Sequence, residues 1–132
     1  MKKPSLGALC ALALAAAGLL PLSANAAAPA TMKNGILVDA KGMTVYTFDR
    51  DKAYSGKSAC LGQCEIDWPP VLASANDEPE RPFTIIKRKD GKRQWAYRGK
   101  PLYTWPEDQE PGDKYGDNKL KLWHVVKDRK AR

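Results

Sequence analysis

The motif Tyr-Thr-aromatic-x-x-Asp occurs twice, at Tyr46-Thr47-Phe48…Asp51 and at Tyr103-Thr104-Trp105…Asp108, with the copies 57 residues apart. The same offset sets Gly42 on Gly99 and Val45 on Leu102. With a slip to 55 residues, Trp68-Pro69-Pro70-Val71 falls on Trp123-His124-Val125-Val126. A period of this length marks a supersecondary unit that cannot bury its apolar face alone and must pack on its copy. Each half reads as strand, Gly turn, aromatic strand, Asp, polar loop and a Trp-x-x-Val strand. The halves run over approximately 35–72 and 83–126, joined by the Pro-, Asp- and Glu-rich connector Ala73 to Pro82.

Local patterns fill in this outline. Residues 27–33 read as a loose N-terminal segment, and Ile36-Leu37-Val38 as a short strand. Met43 to Phe48 alternates so that Tyr46 and Phe48 share one face. Asp90-Gly91 predicts a hairpin between strands Phe83–Arg88 and Arg93–Tyr97, and Arg98-Gly99 a tight turn into Leu102–Trp105. Leu120–Val126 is the last predicted strand. Short strands separated by turn signals predict an all-β domain, a small sandwich or barrel built from two related β units, with one short helical turn near Cys60 and Cys64.

The first 26 residues are expected to be a signal peptide. Lys2 and Lys3 precede the apolar run Leu6–Leu22, and Ala24-Asn25-Ala26 supplies a cleavage site. Cys10 follows Leu9, where lipid attachment would need a small residue, so no lipid is expected there. Residues 27–132 then form a single secreted domain, periplasmic or released, that does not span the membrane. Only Cys60 and Cys64 remain after cleavage, and two cysteines in an exported domain favour a disulfide. Closing so short a loop stabilises by about 2 kcal/mol. A thioredoxin-type site needs two intervening residues, and a c-type haem site needs His where Glu65 stands.

With both Tyr-x-aromatic-x-x-Asp copies placed, the chain resembles a family of bacterial secreted proteins and lipoproteins known by that motif and described as secreted repeats of unknown function. The likeness runs from Gly35 to Val126. It includes Gly56-Lys57-Ser58-Ala59-Cys60…Cys64, Trp68-Pro69-Pro70, Gly99-Lys100-Pro101-Leu102-Tyr103, Pro111-Gly112-Asp113 and Trp123-His124-Val125-Val126. The resemblance implies topology and compartment, and it carries no activity.

The motif residues Tyr46, Phe48, Asp51, Tyr103, Trp105 and Asp108, with Trp68 and Trp123, are expected to pack the core, each tyrosine hydroxyl finding an Asp or the backbone. The alternative is an aromatic-lined pocket between the repeats, bounded by Asp51 and Asp108. His124 is the single histidine, and one imidazole does not make a metal site. Met32 and Met43 could complete a soft copper site with it. The acids Glu107, Asp108, Glu110, Asp113 and Asp117 do not follow the order of a calcium loop.

No Ser-His-Asp or phosphate-cradling pattern is present, so no catalysis and no cofactor are expected. The formal charge is +7, and the hairpin Lys87–Arg93 concentrates it. Such a hairpin usually means a solvated turn; the functional alternative is an anionic envelope component such as lipid head groups or cell-wall polymer, and export argues against nucleic acid. The expected function is therefore a non-enzymatic, envelope-associated binding or structural module. A second reading is a periplasmic redox or copper-handling protein using Cys60, Cys64 and His124.

Overall fold

The structure, a computed structural model, describes residues 28–129. The expected signal peptide lies outside the described residues. Among the described residues seven strands form, β1 (Ala30–Lys33), β2 (Ile36–Asp39), β3 (Tyr46–Phe48), β4 (Phe83–Lys87), β5 (Arg93–Tyr97), β6 (Lys100–Pro101) and β7 (Trp123–Val125), with one short helix, α1 (Gln63–Asp67). A 3-10 turn covers Lys119–Lys121. The protein is an all-β small domain.

Two expectations need correction. Residues 30–33 are not loose but form β1, paired antiparallel with β2 from Ala30↔Asp39 to Lys33↔Ile36. Asn34 (φ 52°) and Gly35 (φ 85°) make the turn. Asn-Gly is the sequence best suited to the positive dihedrals of a two-residue hairpin, so the signal was present. The first repeat accordingly begins before residue 35. The last strand is shorter than Leu120–Val126 because Asn118, Leu120 and Lys121 all take positive φ, which breaks extended backbone.

The two repeats trade their last strands. β3 of the first repeat pairs with β7 of the second, Tyr46 facing Val125. Tyr103 of the second repeat bridges Pro70 of the first, the residue equivalent to Val125. Between them Tyr46 and Tyr103 bridge each other, giving the lateral order segment 70, segment 103, β3, β7. The flanks repeat the exchange. Leu37 N–H donates to Val126 O at 2.9 Å, and Trp95 N–H to Val71 O at 2.8 Å. Asp128 N–H donates to Gly35 O and Ala73 N–H to Arg93 O, both at 2.9 Å. Neither half is complete without the other, as its open apolar face requires.

Alternation along this ladder divides the core in two. Tyr46, Phe48 and Tyr103 join Cys60, Trp68, Trp123 and Val125 in one buried cluster. Val45 and Leu102, one residue earlier in each copy, join Ala30, Leu37, Phe83 and Trp95 in the other.

A basic cleft over the crossed tyrosine–aspartate pairs

In the first cluster four rings stack in one column. Phe48 lies 4.2 Å from Trp123, Trp123 lies 3.8 Å from Trp68 at 3° between planes, and Trp68 lies 4.4 Å from Trp105. The two indoles at the centre are repeat equivalents, and each outer ring stacks on the other repeat's tryptophan. These rings fill the space where an aromatic-lined pocket would have opened. Gly116 is buried against them, where a Cβ would come within 2.9 Å of the Trp68 ring and 3.0 Å of Trp105 Cβ.

The tyrosine hydroxyls cross in the same way. Tyr46 donates to Asp108 Oδ2 at 2.5 Å, and Tyr103 donates to Asp51 Oδ2 at 2.6 Å. Each aspartate uses its other oxygen on its own loop. Asp51 Oδ1 accepts from Ala59 N–H at 2.6 Å, and Asp108 Oδ1 from Tyr115 N–H at 2.8 Å. The motif therefore needs Tyr and Asp together because one repeat's hydroxyl anchors the other repeat's loop. Burial pushes both tyrosine hydroxyls well above their ordinary range, and the hydrogen bond to the aspartate adds to the shift. Burial also raises the Asp51 carboxyl, while the bonds from Tyr103 and Ala59 and the charges of Lys100 and Arg88 pull it back.

Loop 49–61 is fastened on every side. Lys100 Nζ donates to Phe48 O at 2.7 Å and to Asp51 O at 2.8 Å. The Cys60–Cys64 disulfide ties its end to α1 with Cα atoms 5.1 Å apart, and Cys60 is fully buried. Beneath it the side chain of Arg88 is entirely buried, donating to Gln94 Oε1 and Cys60 O at 2.6 Å each, with Nε 2.9 Å from Glu65 Oε1. Such a cation is a structural post. Its charge is matched, and removing either partner would strand the other.

Above this floor lies a cleft of about 860 Å³ between loop 49–61 and the β4–β5 hairpin. Its walls carry Arg50, Lys52, Lys57, Lys87 and Lys89, all exposed and none with a side-chain hydrogen bond or ion pair among the described residues. The one acid in it, Asp51, is committed to Tyr103 and Ala59. Only part of the predicted basic hairpin joins the cleft. Arg93 donates to Ser74 O and Asp77 O in the connector, and Lys92 stands 3.9 Å from Asp90. Arg50, Lys52 and Lys57 passed in the sequence for an ordinary polar loop. The repeat register held the clue, because a 57-residue offset sets Arg50 on Glu107 and Lys52 on Gln109.

The equivalent cleft of the second repeat lies between Lys33, Asn34 and the loop residues Pro111, Gly112 and Lys114, with a volume of about 220 Å³. It is smaller because the β1–β2 turn is short, and it holds two lysines against the first cleft's five free cations. His124 Nε2 lies 2.9 Å from Asp49 Oδ2, both part-exposed, while Met43 sits at the turn after β2, its N–H bonded to Asp39 Oδ1 at 3.0 Å. Among the described residues no group of three or more His, Cys, Asp or Glu is placed to hold a metal.

A duplicated, strand-exchanged β module with an asymmetric cationic cleft is the class of protein that fold and site define. Residues 29–72 and 84–127 each match the family model described as a secreted repeat of unknown function, Lipoprotein_15, and the chain belongs to that family. No curated protein and no solved structure matches it. No helix among the described residues is long and apolar enough to cross a membrane.

Proposed function

We propose that this secreted repeat protein is a non-enzymatic module of the cell envelope that binds an anionic envelope component through the cleft between loop 49–61 and the β4–β5 hairpin. The divergence of two equivalent clefts carries this reading. Both repeats need the Tyr–Asp anchors, the turn glycines and the stacked rings, and both have them. Neither needs five unpaired cations in one cleft, because the other cleft folds on the same scaffold without them. Like charges crowded at a surface repel one another, so their concentration on one side is a cost that an anionic partner would offset.

Burial of Cys60 in the core, with Cys64 part-buried, supports a structural role for the disulfide over an exchange-active one. Retention of the processed protein by immobilised polyphosphate tests the proposal. Retention should fall steeply with salt, as contacts between exposed charges do. The Lys87→Glu/Lys89→Glu variant should elute at far lower salt than the parent, and the Glu107→Lys variant should not. Equal elution of the parent and the cleft variant would refute the assignment of the cleft.

A further inference from the structure

One apolar side chain in the cleft, and two more on the loop and helix that adjoin it, are exposed although an ion-binding site does not require them. Leu61 lines it and is 37% exposed. Ile66, on α1 beside the Glu65 that pairs with the cleft-floor Arg88, is 68% exposed, and Tyr54, on the loop that forms the cleft wall, is 76% exposed. Leaving three such groups in water forgoes the stabilisation that burying them would give. They are also held in place. Leu61 follows the buried Cys60, and the disulfide fixes Cys60 to the first turn of α1. The Tyr54 backbone N–H donates to Gly99 O at 3.0 Å, which holds the loop tip against the β5–β6 turn.

Free cations together with an exposed Leu in the cleft and an exposed Tyr and Ile on the loop and helix that adjoin it match the chemistry of a bilayer interface. Lysine and arginine meet lipid phosphates, aliphatic side chains enter the headgroup–acyl boundary, and tyrosine favours the interface itself. A soluble polyanion would satisfy the cations and leave the apolar groups unused. Of the two acids that flank Ile66, Glu65 is neutralised by Arg88, while Asp67 is exposed and accepts a hydrogen bond from Gln63 Nε2 at 2.9 Å. The equivalent loop of the second repeat presents Glu107 and Glu110 and would be repelled, so docking would select one face of the molecule.

We infer that the basic cleft with Tyr54, Leu61 and Ile66 is a docking surface for an anionic phospholipid bilayer. This inference rests on the anion-binding reading of the cleft. Arg50, Lys52, Lys57, Lys87 and Lys89 contact the headgroup phosphates, and Leu61 and Ile66 enter the interface.

The test is co-sedimentation of the processed protein with vesicles of phosphatidylcholine alone or with phosphatidylglycerol added, alongside binding to soluble polyphosphate. Near-ultraviolet circular dichroism verifies that each variant is folded. The parent should bind only the phosphatidylglycerol vesicles. Lys87→Glu/Lys89→Glu should lose both vesicles and polyphosphate. Leu61→Ser/Ile66→Ser should weaken vesicle binding by about ten-fold or more, as lost interfacial burial implies, and leave polyphosphate binding within about two-fold. Binding to polyphosphate without binding to vesicles, or vesicle binding indifferent to Leu61→Ser/Ile66→Ser, overturns the bilayer as partner and leaves the anion site standing. Binding to neither probe overturns both.

Discussion

Tyr46 and Tyr103 are bonded to each other through their main chains, Tyr46 N–H to Tyr103 O at 2.8 Å and Tyr103 N–H to Tyr46 O at 3.0 Å. Reciprocal bonds between two equivalent residues place a local two-fold axis between them. From that pair outward, the hydroxyl–carboxylate bonds, the ring column and the terminal strands all cross from one repeat to the other.

The crossing makes a prediction for the hydroxyls. Tyr103→Phe leaves Asp51 without its buried donor and should cost about 1–3 kcal/mol, the range for an unsatisfied buried group. Tyr46→Phe should do the same to Asp108. Both folded hydroxyls titrate above their unfolded value of about 10, so the stability they contribute is present below that pH and lost as pH rises above it. Urea melts from pH 8 to 11, values set by that tyrosine range, should show an alkaline decline in the parent that shrinks in each single variant.

Asp51 has the same sign for the same cause. Burial raises its folded carboxyl above the unfolded value of about 3.9, so the native state holds the proton more tightly. Its contribution to stability is full below that value, falls as pH rises through the raised folded value, and is flat beyond. Carboxyl-carbon NMR titration should find Asp51 above the ordinary carboxylate range. A midpoint at or below about 3.9 would contradict this account of its burial.

Trp68 and Trp123 are 4% and 1% exposed at the centre of the column. Truncating either to Ala should cost about 3–5 kcal/mol in chemical denaturation. Because the two rings are in direct contact, the double variant should cost less than the sum of the singles.

The turn glycines Gly42 and Gly99 are repeat equivalents at φ 84° and 83°, yet their surroundings differ. A Cβ on Gly99 would meet the Tyr54 backbone nitrogen at 2.6 Å, whereas one on Gly42 would meet Pro111 side-chain carbon at 3.3 Å. Gly99→Ala should therefore destabilise more than Gly42→Ala. Thermal melts of the two variants compare them directly.

Much of this fold was legible because a repeat states its constraints twice. The paired Tyr, Asp, Gly and Trp positions gave the two β units and the all-β class, and Asp90-Gly91 gave the central hairpin. The strand exchange could not be read, since a motif register tells which residues are equivalent and not whether they pair within a repeat or across. β1 was missed although Asn34-Gly35 signalled it, because four residues with no clear alternation carry little weight after a long apolar run. The cleft was half visible. Lys87 and Lys89 stood out in a basic run, but Arg50, Lys52 and Lys57 are scattered among Asp, Ser and Gly. Which cations remain free depends on tertiary contacts that consume Arg88, Arg93 and Lys100.

We propose loop 49–61 and the β4–β5 hairpin as the working surface of this protein. Amide NMR of the protein titrated with polyphosphate tests it residue by residue. Progressive shifts should concentrate at Arg50, Lys52, Lys57, Lys87 and Lys89, leave Lys33 and Lys114 of the equivalent cleft unmoved, and vanish at high salt. Equal shifts at both clefts, or shifts confined to other lysines, would contradict the account.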